Sequence, residues 1–334
     1  MFFRENPRGF AAIRFYAIKH SFLCNSLRRC ILEIYLAPLA EITSKEFRLL
    51  CYEGGADGCF SEMISAKAVT LRNRKTISLS EIDESEPKTF LQFFGGDPEV
   101  MKEAAEKILE LVKPAGIDIN AGCPVRKVVA ARAGSALMDD PERLGKIVKT
   151  LRKVTDLPLS VKIRKGFKVP NYERCAAEAV DNGADFLTIH PRLRTDMFTV
   201  GTCDFDVSIK LAEKLPIPVF HSGDIREKSD LDRFSGTKIA GVMVGRGALG
   251  KPWIFRELKG ETVSDGEKKE MMAKHFRYYL ELDTKTAHTM IRRHASWYSS
   301  GFHGSAEFRK SIFDLDNDIK KVIEIINDFF KIKL

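Results

Sequence analysis

The feature that most constrains this chain is an alternation repeated between residue 31 and about residue 250. Short apolar runs of four or five residues are separated by longer amphipathic stretches. The runs are Ile34–Pro38, Gly58–Ser61, Thr89–Phe93, Ile117–Asn120, Leu159–Ile163, Phe186–His190, Val219–Ser222 and Gly241–Val244. Their β-branched and aromatic side chains suit strands buried on both faces of a parallel sheet. Helix starts lie between them. Asp97-Pro98-Glu99 supplies a cap, a proline and an acid ahead of Val100–Val112, and Asp140-Pro141-Glu142 does the same ahead of Leu144–Val154. Asn182-Gly183 closes a helix that begins at Tyr172. Eight runs with seven helical stretches predict a (β/α)8 TIM barrel. A doubly wound sheet is the runner-up, but it usually has only about five to seven strands.

After Gly260 the strand signal stops and only helical patterns remain, with one break around Ser299–Ser305. In the last stretch Ile319, Val322, Ile323, Ile326 and Phe329-Phe330 recur at helical spacing, which reads as a packing stripe rather than a cofactor box. The expected organisation is therefore an N-terminal extension (1–30), a barrel (31–258) and a C-terminal all-helical domain (259–334). Hydrophobic residues make up 44% of the 334, which provides for a sizeable core and excludes a disordered or collagen-like chain. No run approaches the roughly 18–20 apolar residues of a membrane span, so a soluble protein is expected.

The net charge of +8 sits at the ends. Residues 1–30 carry six basic side chains against the single acid Glu5, the middle is neutral, and residues 251–334 carry a net +3. The middle must therefore be judged by its sites. The first 30 residues read as a loosely ordered or non-native extension, with a targeting segment as the alternative. Seven cysteines without a C-x-x-C pair argue against zinc and a disulfide framework; no metal site is expected, and a reducing cytosol fits.

Polar residues at the C-terminal ends of barrel strands face the active site. Here those positions are Gln92, the Asn120-Ala-Gly-Cys123-Pro string, Lys162 and Arg164, His190 with Arg192, Ser222-Gly223-Asp224, and Gly245-Arg246-Gly247. Glycines and an arginine in the loops after the seventh and eighth runs predict a phosphate site rather than plain rim turns. Lys162 points inward from between Val161 and Ile163, where a cation would lie beside an electron-accepting ring. Cys123, with an ordinary thiol pKa of about 8.5, would be a proton donor at neutral pH; the competing reading is an inert buried cysteine.

From about residue 32 to residue 315 the chain resembles the tRNA-dihydrouridine synthase family. The matching strings are Leu36-Ala-Pro-Leu-Ala40, Ser61-Glu-Met63, Leu91-Gln-Phe93, Asp118-Ile-Asn-Ala-Gly-Cys-Pro124, Val161-Lys-Ile-Arg164, Ile189-His-Pro-Arg192, Ser222-Gly-Asp-Ile225, Val244-Gly-Arg-Gly-Ala248, Gly250-Lys-Pro-Trp-Ile-Phe255 and Arg293-His294 with Trp297-Tyr298. The resemblance implies a barrel with non-covalent FMN, NADPH as reductant, tRNA as partner, and a helical domain that grips it. It implies a cytoplasmic enzyme without membrane or stable protein partner. By position, Pro38, Leu39 and Ala40 would line the flavin through the backbone and Gln92 would bond its ring edge. Lys162 would sit at its reactive end, with His190 near the ring or ribityl. Ser222, Gly223, Asp224, Gly245 and Arg246 would hold the phosphate. Cys123 would give the proton, and Asn120, Arg164, Arg292 and Arg293 would contact the substrate.

The chain departs from the family at three places. Glu41 stands where glycine is common, Ser222 where asparagine is common, and Leu193–Gly201 is one residue longer. Two other readings of the chain remain: an FMN barrel acting on a small enone or dihydropyrimidine, and a tRNA-binding barrel without catalysis.

Overall fold

Strand residues at alternating positions build two cores at once. The computed structural model describes residues 32–199, 201–315 and 318–334; the expectation for residues 1–30 lies outside them. Among the described residues, eight parallel strands close into one barrel in chain order. They are β1 (Glu33–Leu36), β2 (Gly58–Ser65), β3 (Thr89–Phe94), β4 (Gly116–Ala121), β5 (Leu159–Gly166), β6 (Phe186–Leu193), β7 (Val219–Ser222) and β8 (Ile239–Val244). The doubly wound alternative is excluded by the closure of β1 onto β8. β2, β5 and β6 run past the expected ends. Their last turns of pleat carry Glu62, Arg164 and Arg192, which an apolar-run criterion cuts off.

Residues at one parity, such as Ile117 and Ile119 on β4 and Leu159, Val161 and Ile163 on β5, pack outward under the helices. The other parity fills the barrel. Tyr35, Phe60, Phe90, Phe186 and Phe220 form an aromatic floor, with Phe60 and Phe90 stacked at 5.0 Å. Two residues further along the strands the interior turns polar. Gln92, Asp118 and Ser160 share one rung, and Asn120 and Lys162 share the rung above.

The longer barrel helices are α1 (Lys45–Glu53), α2 (Pro98–Leu111), α3 (Pro141–Arg152), α4 (Tyr172–Asp181) and α5 (Phe205–Lys214). The expected caps are present. Asp97 accepts from the N–H groups of Glu99 and Val100 at 3.0 Å, and Asp140 accepts from that of Arg143 at 3.2 Å. Gly183 takes the left-handed conformation, φ 105°, that ends α4.

The tail contains α6 (Asp265–Leu280), α7 (Thr284–Tyr298), α8 (Ser305–Phe313) and α9 (Ile319–Phe330); the break after Tyr298 is where expected, and the helices also stop at Leu280 and Phe313, where none was expected. Val322, Ile326 and Phe330 of α9 are buried in a second apolar cluster, which also takes in Leu50 of α1 and Trp253. This makes the stripe a packing surface. Lys274 pairs with Glu53 at 2.6 Å and Phe47 stacks on His275 at 5.5 Å, so α6 is fixed against α1. Among the described residues, no helix is long and apolar enough to cross a membrane.

Two imidazoles lie inside this second cluster. His275 Nδ1 meets the Tyr298 hydroxyl at 2.9 Å, and His294 Nε2 meets the Tyr279 hydroxyl at 3.0 Å. Burial lowers the His275 pKa to about 3, and burial followed by the charges of His275 and Arg293 holds His294 well below its ordinary range. The unfolded chain therefore binds more protons at acid pH. The stability these rings contribute is complete above about pH 6.5 and is lost as pH falls toward 3. Thermal unfolding followed from pH 7 to pH 4 should show a falling midpoint, and His275→Gln should flatten that fall. An unchanged slope would remove the buried ring as its cause.

Candidate active site

The C-terminal ends of the strands surround a cavity of about 240 Å³. Its wall includes Pro38, Leu39 and Ala40 after β1, Asn120 from β4 and Cys123 just after it, Lys162 and Arg164 from β5 and His190 from β6. Ser222, Gly223, Asp224, Gly245 and Arg246 complete the wall, and Met63, Phe198 and Arg226 join them. The structure thus brings together most of the positions singled out in the sequence. Among the described residues, no cluster of His, Cys, Asp and Glu has the makings of a metal site.

Cys123 is almost wholly buried, with its remaining surface on the cavity. Asn120 Oδ1 accepts from the backbone N–H of Cys123 at 2.9 Å and from that of Gly122 at 3.1 Å, which closes the loop around the side chain. Burial raises the thiol pKa, while the nearby charges of Arg164 and Lys162 oppose that rise. The group is a thiol at neutral pH and can give up a proton. Lys162 is pushed down to about 8, first by burial and then by the Arg164 charge. It is a cation below that pH and loses charge above it.

His190 stays neutral because burial and the charges of Lys162, Arg164 and Arg192 all disfavour its protonation. The Arg192 guanidinium lies 3.1 Å from His190 Nε2 and can only donate, so Nε2 accepts and the ring proton is on Nδ1. Phe198 lies over His190 with ring centroids 6.0 Å apart. The Arg164 and Arg246 guanidiniums lie 5.2 and 5.7 Å from that same ring.

The rim after β7 and β8 is held from below. His221 donates from Nε2 to the Gly223 carbonyl at 2.8 Å, and its Nδ1 accepts from the Ser208 hydroxyl at 2.8 Å. Gly223 has φ 133°, and a Cβ there would fall 2.9 Å from Cys203 Sγ. A Cβ on Gly247 would fall 2.5 Å from the Ile225 carbonyl oxygen. Only glycine lets the two loops meet this closely. The short turn Arg246–Ala248 begins with N–H groups that have no intrahelical partner. Together with the Ser222 hydroxyl and the Arg246 guanidinium, whose Nη1 also donates to the Phe198 carbonyl at 3.2 Å, this rim fits a phosphate monoester. The Asp224 carboxylate is already engaged by Arg192, and by Arg246 at 3.0 Å. It sets the two guanidiniums rather than facing an anion.

Gln92 and Arg164 take other partners than the sequence expectation gave them, while Arg292 and Arg293 stand on the tail, outside the cavity. Gln92 is fully buried beneath the cavity, with its amide turned to Asp118 and Asn120. Arg164 lines the cavity, but its donors reach the carbonyls of Gly122, Leu193 and Met197. It therefore staples the Cys123 loop to the loop after β6. Arg292 and Arg293 lie away from the cavity, around a separate hollow on α7 with His288 and Trp297. Arg293 donates to the Glu41 carbonyl at 2.7 Å and approaches the Glu41 carboxylate at 3.3 Å.

Glu41 itself has φ 60°, the left-handed region that favours glycine. Its N–H is taken by Glu62, and its side chain faces Arg293 rather than the cavity. Sequence reasoning gave no role to Asp118 or His221. Their signal was a charged or imidazole side chain inside an otherwise apolar run.

A barrel mouth that joins a buried thiol, a depressed lysine and an anion-fitting rim is an enzyme site. A family model described as dihydrouridine synthase (Dus) matches residues 35–333. The chain is 35% identical to a probable tRNA-dihydrouridine synthase of Rickettsia conorii, over 89% of this chain and 93% of that one. It is 34% identical to tRNA-dihydrouridine synthase B of Escherichia coli, over 88% and 95%. A probable tRNA-dihydrouridine synthase of Aquifex aeolicus is 38% identical over 72% and 77%. The chain belongs to the dihydrouridine synthase family of oxidoreductases.

The protonated state of Cys123 is directly measurable. Its alkylation by iodoacetamide, followed by mass spectrometry across pH, should have a midpoint above the ordinary thiol value of about 8.5. A midpoint below neutrality would make it a thiolate and unfit to donate.

Proposed function

We propose that this enzyme reduces uridine in tRNA to 5,6-dihydrouridine, with FMN bound at the barrel mouth and NADPH as the reductant. The observation that carries this reading is the meeting of Cys123, Lys162 and the rim after β7 and β8 on one cavity. Binding at that rim would fall to the Ser222 hydroxyl, the backbone N–H groups around Gly245 and the Arg246 fork. The backbone of Pro38–Ala40 would flank the ring, with Lys162 at its reactive end. FMN, when bound, supplies the hydride that adds at C6 of the uracil ring.

The chain's own residues do the rest. The C5=C6 bond is conjugated to the C4 carbonyl, so C5 must take a proton as C6 takes a hydride. The Cys123 thiol gives that proton to C5, and the charges of Arg164 and Lys162 stabilise the sulfur anion left behind. Solvent then reprotonates it. Asn120 holds the loop in place and borders the cavity where the pyrimidine enters. An extruded uridine leaves its stack at a cost of a few kcal/mol. Contacts to tRNA phosphates offset that cost and weaken with salt. A cytoplasmic location follows from such a substrate.

The Cys123→Ala variant should keep its flavin and the reduction of that flavin by NADPH. Single-turnover reduction of unmodified tRNA should fall by about 10²–10⁴-fold, the usual contribution of a positioned acid. A full rate in that variant would end the proton-donor assignment.

Glu41→Gly suits the local backbone and removes the carboxylate that faces Arg293 Nη2, while the Arg293 Nη1 bond to the residue 41 carbonyl stays. Filter binding should then show tighter tRNA association and a log–log salt slope steeper by roughly 0.7–0.9, as one added phosphate contact requires. Unchanged affinity and slope would take Arg293 out of the tRNA contact.

A further inference from the structure

Below the cavity runs a chain of hydrogen bonds that the chemistry above does not yet use. Asp118 of β4 is fully buried. Its Oδ1 accepts from the Ser160 hydroxyl at 2.6 Å, and its Oδ2 accepts from the Gln92 side-chain amide at 2.5 Å. The Gln92 carbonyl oxygen then faces the other way and accepts from Asn120 Nδ2 at 2.8 Å. Asn120 Oδ1 is left to accept from the N–H groups of Gly122 and Cys123. Each amide has one donating and one accepting end, so fixing the first fixes all that follow.

We infer that Asp118 is a positioning residue: its carboxylate sets the direction of the Gln92–Asn120 chain and so holds the Cys123 loop, and its thiol, in the reactive position. An ionised carboxylate can only accept, which forces the Gln92 nitrogen toward it. Reversing Gln92 alone would set its carbonyl oxygen against the Asp118 carboxylate and its nitrogen against that of Asn120. Were Asn120 to turn as well, its nitrogen would face the Gly122 and Cys123 N–H groups, donor against donor. Burial raises the Asp118 pKa to about 6, against the bonds from Gln92 and Ser160 and the Lys162 charge, so the carboxylate is ionised at neutral pH. This also gives a reason for a charge on a rung directly above the aromatic floor. A buried carboxylate is costly, and here it acts as the fixed end of a one-way chain.

The inference rests on the proposed role of Cys123 only for its consequence in turnover; the positioning itself can be read without substrate. Asp118→Asn keeps an acceptor toward Gln92 and can turn its own amide to the Ser160 hydroxyl, which accepts. Asp118→Leu has no acceptor. In the purified protein, cysteine alkylation mapped by mass spectrometry should show Cys123 reacting about fivefold faster or more in Asp118→Leu, as its loop loses two fixed hydrogen bonds. Asp118→Asn should stay within about twofold of the parent, since its chain direction is kept. The buried Cys51, Cys59 and Cys175 should remain protected in both.

Turnover on tRNA should fall about tenfold or more in kcat in Asp118→Leu, with KM for tRNA and flavin content unchanged, the pattern of a lost transition-state contact. If Asp118→Leu does not fold, Asp118→Ala makes the same comparison with less steric demand. An unchanged Cys123 rate in the acceptor-free variant, or equal behaviour of the Asn and Leu variants, would overturn the inference. So would a rise in all four cysteines together, which would mean only a loosened fold. If the alkylation pattern holds while even the parent leaves tRNA unreduced, the chain stands and the proposed reaction falls.

Discussion

Everything at the site depends on the pleat of the barrel strands. In β4 and β5 the same alternation that sends Ile117, Ile119, Val161 and Ile163 outward sends Asp118, Asn120, Lys162 and Arg164 inward. Because the strands are parallel and share registers, these inward residues stack in rungs. The lower rungs are aromatic and exclude water, and the upper ones are polar. A lysine or thiol above such a floor is partly desolvated. That is why Lys162 is depressed and Cys123 raised. Burial on β5 thus shifts Lys162, and burial in the loop after β4 shifts Cys123.

The helical tail is held to this barrel by charge pairs and by a shared apolar cluster. One contact connects the tail to the mouth. Arg293 on α7 holds Glu41, three residues beyond Pro38, in a backbone conformation that a non-glycine residue adopts only at some cost. Arg48 secures the following turn from inside, donating to the Thr43 carbonyl at 3.0 Å while paired with buried Glu86 at 2.7 Å. The segment that flanks the proposed flavin is therefore anchored on one side by the barrel and on the other by the tail.

The fold was largely legible because parallel strands buried on both faces leave compact apolar runs, and helix caps mark the gaps between them. Strand ends were less legible: the apolar runs stop at Ser61, Ile163 and His190, whereas β2, β5 and β6 continue to Ser65, Gly166 and Leu193 through the polar Glu62, Arg164 and Arg192. Most of the cavity wall could be read by position, since strand ends in a barrel converge on one mouth. What spacing cannot show is which partner a polar group takes. Gln92 stands on the expected strand, yet its amide is spent on Asp118 and Asn120. Arg293 stands on the tail helix where its basic charge was read, but it faces a carboxylate from its own chain.

In the proposed function the rim after β7 and β8 seats a phosphate and so places a flavin across the mouth beside Cys123. Titration of flavin-free protein with FMN and with riboflavin, followed by fluorescence quenching, tests it most directly, because the two ligands differ only in the phosphate. The account predicts FMN binding tighter by about 100-fold or more, or roughly 2.7 kcal/mol. Equal affinities, or no binding of either ligand, would contradict it.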